Sequence, residues 1–374
     1  MTTLDVAPGL YRQDVFTPPR PRLDTGVPVF IGDVPDASSG RPEPLTLWSQ
    51  FHPMFGTTAG NVAHCVRGFF ENDGVLCYVL PSERTAAPVS QLRERLAVVA
   101  DLDVDLVCAP DIASETDLGL VTDLQAEVLD HCARAGHRLA ILDGVCTSDA
   151  ADVERQRAAL SSPDAALYHP WLLVSGMGGP ARHVPPCGHV AGAYSRNDQR
   201  VGVHKVPANE PLEGVLDLYV NHTATEMAGL LARDVNCMLA QPGRGIRVWG
   251  GRTLSADIAW RHVSGRRVLH TMSRWIERFL TDLMFEPNDV RLWVRIMREL
   301  TAYLDGLHAA GALRGQASDQ AFFVKCDSET NPPEVIAAGI TVTEVGLALT
   351  APAEFVIARI VHGTSGVTVT TPGG

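Results

Sequence analysis

PGRGIRVWGGRTL, residues 242–254, sets four glycines and three arginines around a short apolar run. Glycine lets backbone N–H groups approach an anion closely, and arginine forks match phosphate oxygens, so a phosphate cradle is the first reading to test. The spacing does not support it. A P-loop follows its second glycine with a Lys-Ser/Thr pair, and a dinucleotide fold sets three glycines between a strand and a helix. Neither pattern is present. IRVW reads instead as a strand flanked by glycine turns, with Ile246 and Val248 on one face and Arg247 and Trp249 on the other.

Upstream of this stretch, from Val27, apolar strands alternate with amphipathic helices. VPVFIGDV, GVLCYVL, VDLVCAPD, HRLAILDG and ALYHPWLLV are strand-like runs. Between them, NVAHCVRGFF places Val62, Val66, Phe69 and Phe70 on one helical face, and TDLQAEVLDHCARAG does the same with Leu124, Val128, Leu129 and Cys132. The alternation predicts a largely parallel sheet covered on both sides. Asp111 of CAPD and Asp143 of ILDG stand where an enzyme on such a sheet would carry its site, but both also suit turns or helix caps. No strand is followed by a glycine fingerprint, and no nucleophile elbow marks a Ser-His or Cys-His pair. A Gly/Pro-rich stretch, SGMGGPARHVPPCG at 175–188, reads as a linker.

Downstream, helical stretches are expected over 265–285 and 288–313. The second puts Leu292, Ile296, Leu300, Tyr303 and Leu307 in a stripe, with Arg291, Arg295 and Arg298 off it on a solvated face. Strands return as AFFVKCD, ITVTEVGLAL and AEFVIARIVHG. The last ends near the C-terminus with no helix after it, and at the other end GLYRQDVF precedes TPPRPRLDTG, whose prolines forbid helix and withhold ladder donors. An uncovered apolar strand is a pairing hazard, so both extended runs are expected to serve pairing between subunits.

The 374-residue chain is 45% hydrophobic and 20% charged with a net charge of −12, a globular composition that argues against a nucleic-acid partner. No run reaches membrane-span length and the N-terminus lacks a signal pattern, so no membrane association is expected and synthesis in the cytoplasm is. Eight cysteines are scattered without a C-x-x-C pair, as for reduced buried thiols. HVPPCGH brings His183, Cys187 and His189 together without an evident fourth ligand, so no metal or cofactor is expected.

Four motifs carry a resemblance: VPPCGHVAGAYSRNDQRVGVHKVPANEPLEGV, NCMLAQPGRGIRVWGGRTL, MFEPNDVRLWVRI and AEFVIARI. They closely resemble the C-terminal half of tail sheath proteins of contractile phages and phage-like injection systems. APGLYRQDV, NVAHCVRGFFENDG and ALYHPWLLV add weaker matches, to the family's N-terminal arm, its first helix and the strand closing its variable domain. Departures are His204, where an aromatic is common, Gly251, where Ala often precedes RTL, and Cys187, where Ser or Thr is usual. The short length is most similar to sheaths of extracellular contractile injection systems or tailocin-like particles.

The resemblance implies an α/β and α+β subunit of two domains with extended terminal arms that form β-sheets between subunits. Its parts are an arm at 1–26, an α/β variable, outer domain at 27–175, an α+β sheath core domain facing the tube at 176–350, and a strand arm and tail at 351–374. Arm residues are expected at Leu10, Tyr11, Val15 and Phe16 and at Phe355, Val356, Ile357 and Ile360. Tube contacts are implied for the C-terminal domain, with Asp327, Glu329 and Glu334 as candidates, and the glycine-arginine stretch becomes a core strand that places Arg252 near the following segment. The implied role is structural and without catalysis: hexameric rings of the chain stack into a helical sheath around an inner tube protein, bounded by baseplate and terminal cap proteins. Such a particle assembles in the bacterial cytoplasm and works as a virion tail or as a phage tail-like particle released from the cell. A phage virion tail sheath is the near alternative. An oligomeric α/β enzyme holding a phosphorylated ligand at Arg244, Arg247 and Arg252 is the distant one, with a conventional binding module beside it.

Overall fold

The apolar runs of the first half become strands because β-branched and long apolar residues without polar alternation suit a sheet buried on both faces. A computed structural model describes residues 23–35, 40–57, 60–82, 86–349, 354–363 and 366–370. In chain order the strands begin β1 (Pro28–Gly32), β2 (Glu43–Leu45), β3 (Cys77–Pro81), β4 (Leu106–Cys108), β5 (Leu139–Asp143) and β6 (Ala165–His169). There follow β7 (Leu172–Val174), β8 (Arg182–Val184), β9 (Val215–Leu218), β10 (Val235–Gln241) and β11 (Gly245–Trp249). One eight-stranded sheet has the order β11-β10-β6-β5-β4-β1-β3-β2. Neighbours from β10 through β3 are parallel, and β11 and β2 close the two edges as antiparallel strands.

Helices cover both faces. The first seven are α1 (Phe51–Phe55), α2 (Asn61–Glu71), α3 (Pro88–Val99), α4 (Leu118–Ala135), α5 (Ala150–Ala158), α6 (Cys187–Arg200) and α7 (Ala224–Ala232). Val62, Val66 and Phe69 of α2 and Val190 and Tyr194 of α6 fill one face of the sheet. Leu92 and Leu96 of α3, Val128 and Cys132 of α4, and Val153 and Leu230 fill the other. Local chemistry sets the helix ends: Asp117 accepts from Gly119 N–H before α4, Gly136 at φ +69° stops it, and Thr223 and Glu226 form a capping box on α7.

Two sequence expectations change here. ALYHPWLLV, read as one strand, divides at Pro170, whose missing N–H cannot continue a ladder. β6 stays in the large sheet and β7 joins β8 and β9 in a separate three-stranded antiparallel sheet. The Gly/Pro-rich stretch at 175–188 is not a border between folding units: beyond it α6 packs on α2, and β10 pairs with β6. Composition reports local backbone freedom, whereas a strand's partner is set over long range, so the border at 175 could not be tested by composition.

The second lobe comprises α8 (Val263–Thr281), α9 (Val290–Ala309), α10 (Ser318–Ala321), β12 (Phe322–Lys325), α11 (Pro333–Ala337), β13 (Ile340–Ala348), β14 (Phe355–Gly363) and β15 (Gly366–Thr370). Its four strands form an antiparallel meander in the order β12-β13-β14-β15. Ile276, Phe279 and Leu280 of α8 and Ile296, Leu300 and Leu304 of α9 meet Val345, Leu347, Ala358 and Ile360 in a core of their own. The C-terminal strand is therefore covered by its own chain. β14 pairs with β13 from Phe355 to Gly363 and with β15 on its other side, and Ala358 and Ile360 are fully buried. The signal missed was GVTVT, a short Thr-rich alternation that supplies the flanking strand.

Candidate assembly surfaces and the clasp between lobes

The glycine-arginine stretch is a hairpin. β10 and β11 pair from Cys237↔Trp249 to Gln241↔Gly245, and Gly243 and Gly245, both at φ +73°, make the turn that an L side chain would strain. Two of its three arginines are turned onto the chain itself, and Arg244 is exposed in the turn. Arg247 donates to the Asn209 carbonyl at 2.6 Å, and Arg252 donates to the Leu231 carbonyl at 2.6 Å and lies 3.4 Å from Asp234. The buried Asn236 amide donates to the Arg252 carbonyl at 2.8 Å and accepts its N–H at 2.8 Å, while Arg252 bridges to His262 at the foot of α8. Guanidinium groups already hydrogen-bonded to protein carbonyls are poorly placed to form a phosphate fork.

The aspartates at the carboxyl ends of the parallel strands are engaged as well. Asp111 accepts from Asp33 N–H at 2.7 Å and from the Asn61 amide at 3.0 Å, and Asn61 in turn accepts from Arg182 at 3.0 Å. Asp143 accepts from Cys187 N–H at 2.8 Å and so caps the first turn of α6. Burial pushes the Asp143 carboxyl up to about 7 against that bond. His183, Cys187 and His189 face different surroundings: His183 packs edge-on to Tyr219, Cys187 lies 3.8 Å from the Cys65 sulfur, and His189 is buried against Gly68.

At the opposite end of the sheet α8 is bolted to the loops that precede the strands. Arg266 and His270 converge on Asp164, at 2.5 and 2.7 Å. Arg267 reaches Asp198 of α6 at 2.6 and 2.8 Å and Asp105 at 2.8 Å. Arg274 takes Asp103 at 2.7 Å and the Asp24 carbonyl at 3.0 Å, and Arg278 also pairs with Asp103. Asp105 accepts Gly26 and Val27 N–H as well, at 3.0 and 2.7 Å, which fixes the chain entering β1. Burial opposes the Arg267 charge, but Asp198 and Asp105 outweigh it and raise its pKa. Burial likewise pushes the Asp164 carboxyl up, yet His270 and Arg266 bring it down to about 2. Sequence reading passed over this clasp. Its only sequence signal was a row of arginines at 266, 267, 274 and 278 on one helix, with Asp103, Asp105 and Asp164 just ahead of strands.

The residues expected at surfaces divide. Leu10, Tyr11, Val15 and Phe16 lie outside the described residues. Phe355, Val356, Ile357 and Ile360 are on β14, inside the four-stranded sheet; of these Ile357 alone is exposed, at 41%. Asp327 turns inward on its own loop and accepts Glu329 and Thr330 N–H at 2.9 and 3.1 Å. Glu329 pairs with Lys325 at the surface, and Glu334 opens α11 exposed. The loop bearing them is tied to β13 by the buried Asn331 amide, which bonds Val342 N–H at 2.6 Å and its carbonyl at 2.9 Å. Three large apolar side chains that the sequence did not advertise are exposed near the start of α9: Phe285, at 95%, in the turn before it, and Val290 and Val294 on it.

Comparison with known proteins places this architecture. Residues 89–254 match the phage tail sheath protein central domain and residues 255–362 the phage tail sheath C-terminal domain. Their border falls at the foot of α8, between the two cores. A prophage major tail sheath protein of Pseudomonas aeruginosa (strain UCBPP-PA14) is 27% identical over 150 residues, a match spanning 38% of each protein. The helical sheath of the anti-feeding prophage in its contracted state is similar in structure, with TM-score 0.75, 25% identity, and 94% of this chain and 98% of that chain covered. The contracted sheath complex of the extracellular contractile injection system PVC gives TM-score 0.75 and 28% identity, covering 95% and 97%.

Proposed function

The chain belongs to the contractile tail sheath family, and on that premise we propose that it is the structural subunit of an injection-system sheath. It polymerises helically around an inner tube and contracts to drive that tube through a target envelope. The observation that carries this reading is the likeness along nearly the full length of subunits from two contracted sheaths, one of them that of an extracellular contractile injection system. The prophage sheath relative keeps a phage virion tail as the second reading, with the same mechanism. A catalytic role is not part of the proposal: Arg247, Arg252, Asp111 and Asp143, where an enzyme would have worked, are bonded within the chain.

Three physical requirements follow. Head-to-tail contacts must not close, so that hexameric rings stack into a helix. Strand addition at the open edges of the four-stranded sheet, β12 and β15, links neighbouring subunits by backbone bonds, which tolerate rotation of the bodies they tether, β14 itself being paired on both sides. Body-to-body packing must be better in the contracted lattice, so that assembly on the tube and baseplate traps a higher-energy state. In this scheme the lobe of residues 263–370 faces the tube, Glu329 and Glu334 contribute to the grip, and a cap protein closes the far end. Particles are assembled in the bacterial cytoplasm and act after release. Electron microscopy of the chain co-expressed with its tube protein is the test: striated coated tubes are expected, and uniform small oligomers would return the enzyme or binding-module reading.

A further inference from the structure

A cavity of about 380 Å³ lies between the C-terminal ends of α3 and α4, ahead of β5. Arg93, His131, Arg134, His137 and Arg138 line it with alanines between them, and no carboxylate does. On a chain of net charge −12 that is a local reversal of sign. Arg138 is 1% exposed, and burial pushes its pKa down. Its Nη2 donates to the Ala100 and Leu102 carbonyls at 2.9 and 2.8 Å, and its Nη1 to His131 Nε2 at 2.8 Å. Its Nε has no partner among the described residues. Asp101 and Asp103 favour the Arg138 charge without bonding to it, and Asp103 already holds Arg274 and Arg278.

The fold accounts for only part of this charge. A helix C-terminus carries about half a negative charge, so the ends of α3 and α4 together offset about one cation. Arg93 is paired with Glu127. That leaves the exposed Arg134 and the buried Arg138, two cations with no carboxylate bonded to either among the described residues. The excess acts on the imidazoles: burial, then Arg138 and Arg134, bring His131 down to about 4, and burial and Arg138 do the same to His137. A buried guanidinium with an unused N–H, beside a second that solvent can reach, matches the oxygens of a compact dianion. We propose that this cavity binds a phosphate group, free or as the monoester of a small molecule, with Arg138 holding it from within and Arg134 from the mouth. The site is separate from the glycine-arginine hairpin, and it stands whether or not the chain forms a sheath.

Calorimetric titration of the full chain tests it, with inorganic phosphate and glycerol phosphate as probes and the ionic strength held constant with chloride. Saturable binding of at least one probe is expected, with a Kd of about 1 mM or tighter. Tighter binding of glycerol phosphate assigns the site to an ester, and tighter binding of inorganic phosphate to the free anion. Loss of one charge-assisted contact in Arg134→Gln should weaken binding about tenfold, whereas Arg200→Gln, which removes an exposed arginine on α6, should leave it unchanged. Arg138→Gln should abolish binding. Because Arg138 also holds the carbonyls that follow α3, the exposed Arg134 variant decides the matter if Arg138→Gln fails to fold. No saturation with either probe, an unchanged Kd in Arg134→Gln, or an equal loss in Arg200→Gln overturns the proposal.

Discussion

The eight-stranded and four-stranded sheets of this chain solve the same problem in opposite ways. The larger is parallel through its middle, buried on both faces by helices, and closed at each edge by an antiparallel strand. The smaller is antiparallel, buried on one face by α8 and α9, and alternates outward along β14, where Ile357 and Arg359 are exposed and Ala358 and Ile360 buried. Parallel sheets gain by being sealed, whereas an antiparallel sheet can leave one face and both edges to another molecule. The difference teaches where the subunit is a rigid body and where it can offer itself for assembly.

What joins the two is the clasp of α8, and breaking it should have the largest effect. Arg267 is 2% exposed and its removal leaves Asp105 and Asp198 buried without their cation. Arg267→Ala is expected to cost about 3–5 kcal/mol in urea unfolding. Were the loss under 1 kcal/mol, the lobes would be held by apolar packing alone and the clasp would be incidental.

The second comparison lies within β14. Ile360→Ala opens a cavity in the second core and should cost about 2–5 kcal/mol, while Ile357→Ala should stay within about 0.5 kcal/mol. Truncation after Ala351 removes Ala358 and Ile360 together and is expected to unfold the second lobe rather than to release a folded monomer. Circular dichroism and sedimentation of that truncation decide between the strand as core and the strand as exchangeable arm. If assembly fails in Ile357→Ala while stability holds, the exposed face of β14 is the assembly surface.

Much of the larger sheet was legible because its signals are local. Continuous apolar runs separated by i, i+3, i+4 helices declare a buried parallel sheet residue by residue, and Val62, Phe69, Val128 and Cys132 all lie where that periodicity put them. Partnership was not legible. Nothing near Val235 says that β10 will pair with β6 across some seventy residues of chain, and nothing near Arg267 says that Asp198 will face it. The glycine-arginine stretch is the strand with turns that its spacing predicts, but the attachment of Arg252 to Leu231 and Asp234 depends on tertiary placement. The expectation of an uncovered C-terminal strand failed for a related reason, since GVTVT is too short and polar to announce itself as a partner.

Acid should separate the lobes again, more mildly. His169 and His189, both in the larger one, are held neutral by burial with pKa values brought down to about 3. Among the described residues both imidazole nitrogens of His189 lack a hydrogen-bond partner, so protonation there is uncompensated. The unfolded chain binds these protons below about pH 6.5 and the folded chain does not, so stability falls as pH drops through that range toward the folded pKa. By linkage, His189 alone should cost about 2 kcal/mol between pH 6.5 and 5. Unfolding at pH 7 and pH 5 measures it, and His189→Phe should flatten the slope by one proton's share. An unchanged slope would assign the acid sensitivity to other groups.

The smallest effect concerns the surface offered by the second lobe. Glu329 is 77% exposed and already paired with Lys325, and Glu334 is exposed at the first turn of α11, on a loop fixed through Asn331 to β13. An exposed charge pair contributes at most about 1 kcal/mol and is weakened by salt, so one subunit's grip on a tube would be slight. Repeated over every subunit, that slight grip becomes retention that still lets go when the lattice moves. Glu329→Lys combined with Glu334→Lys reverses the charge and should leave the fold unchanged while lowering co-sedimentation with the tube protein at low salt. The difference from wild type should shrink as salt rises. If both proteins sediment with the tube equally at every salt concentration, the acidic loop is not the gripping face, and the exposed Phe285, Val290 and Val294 become the side chains to change next.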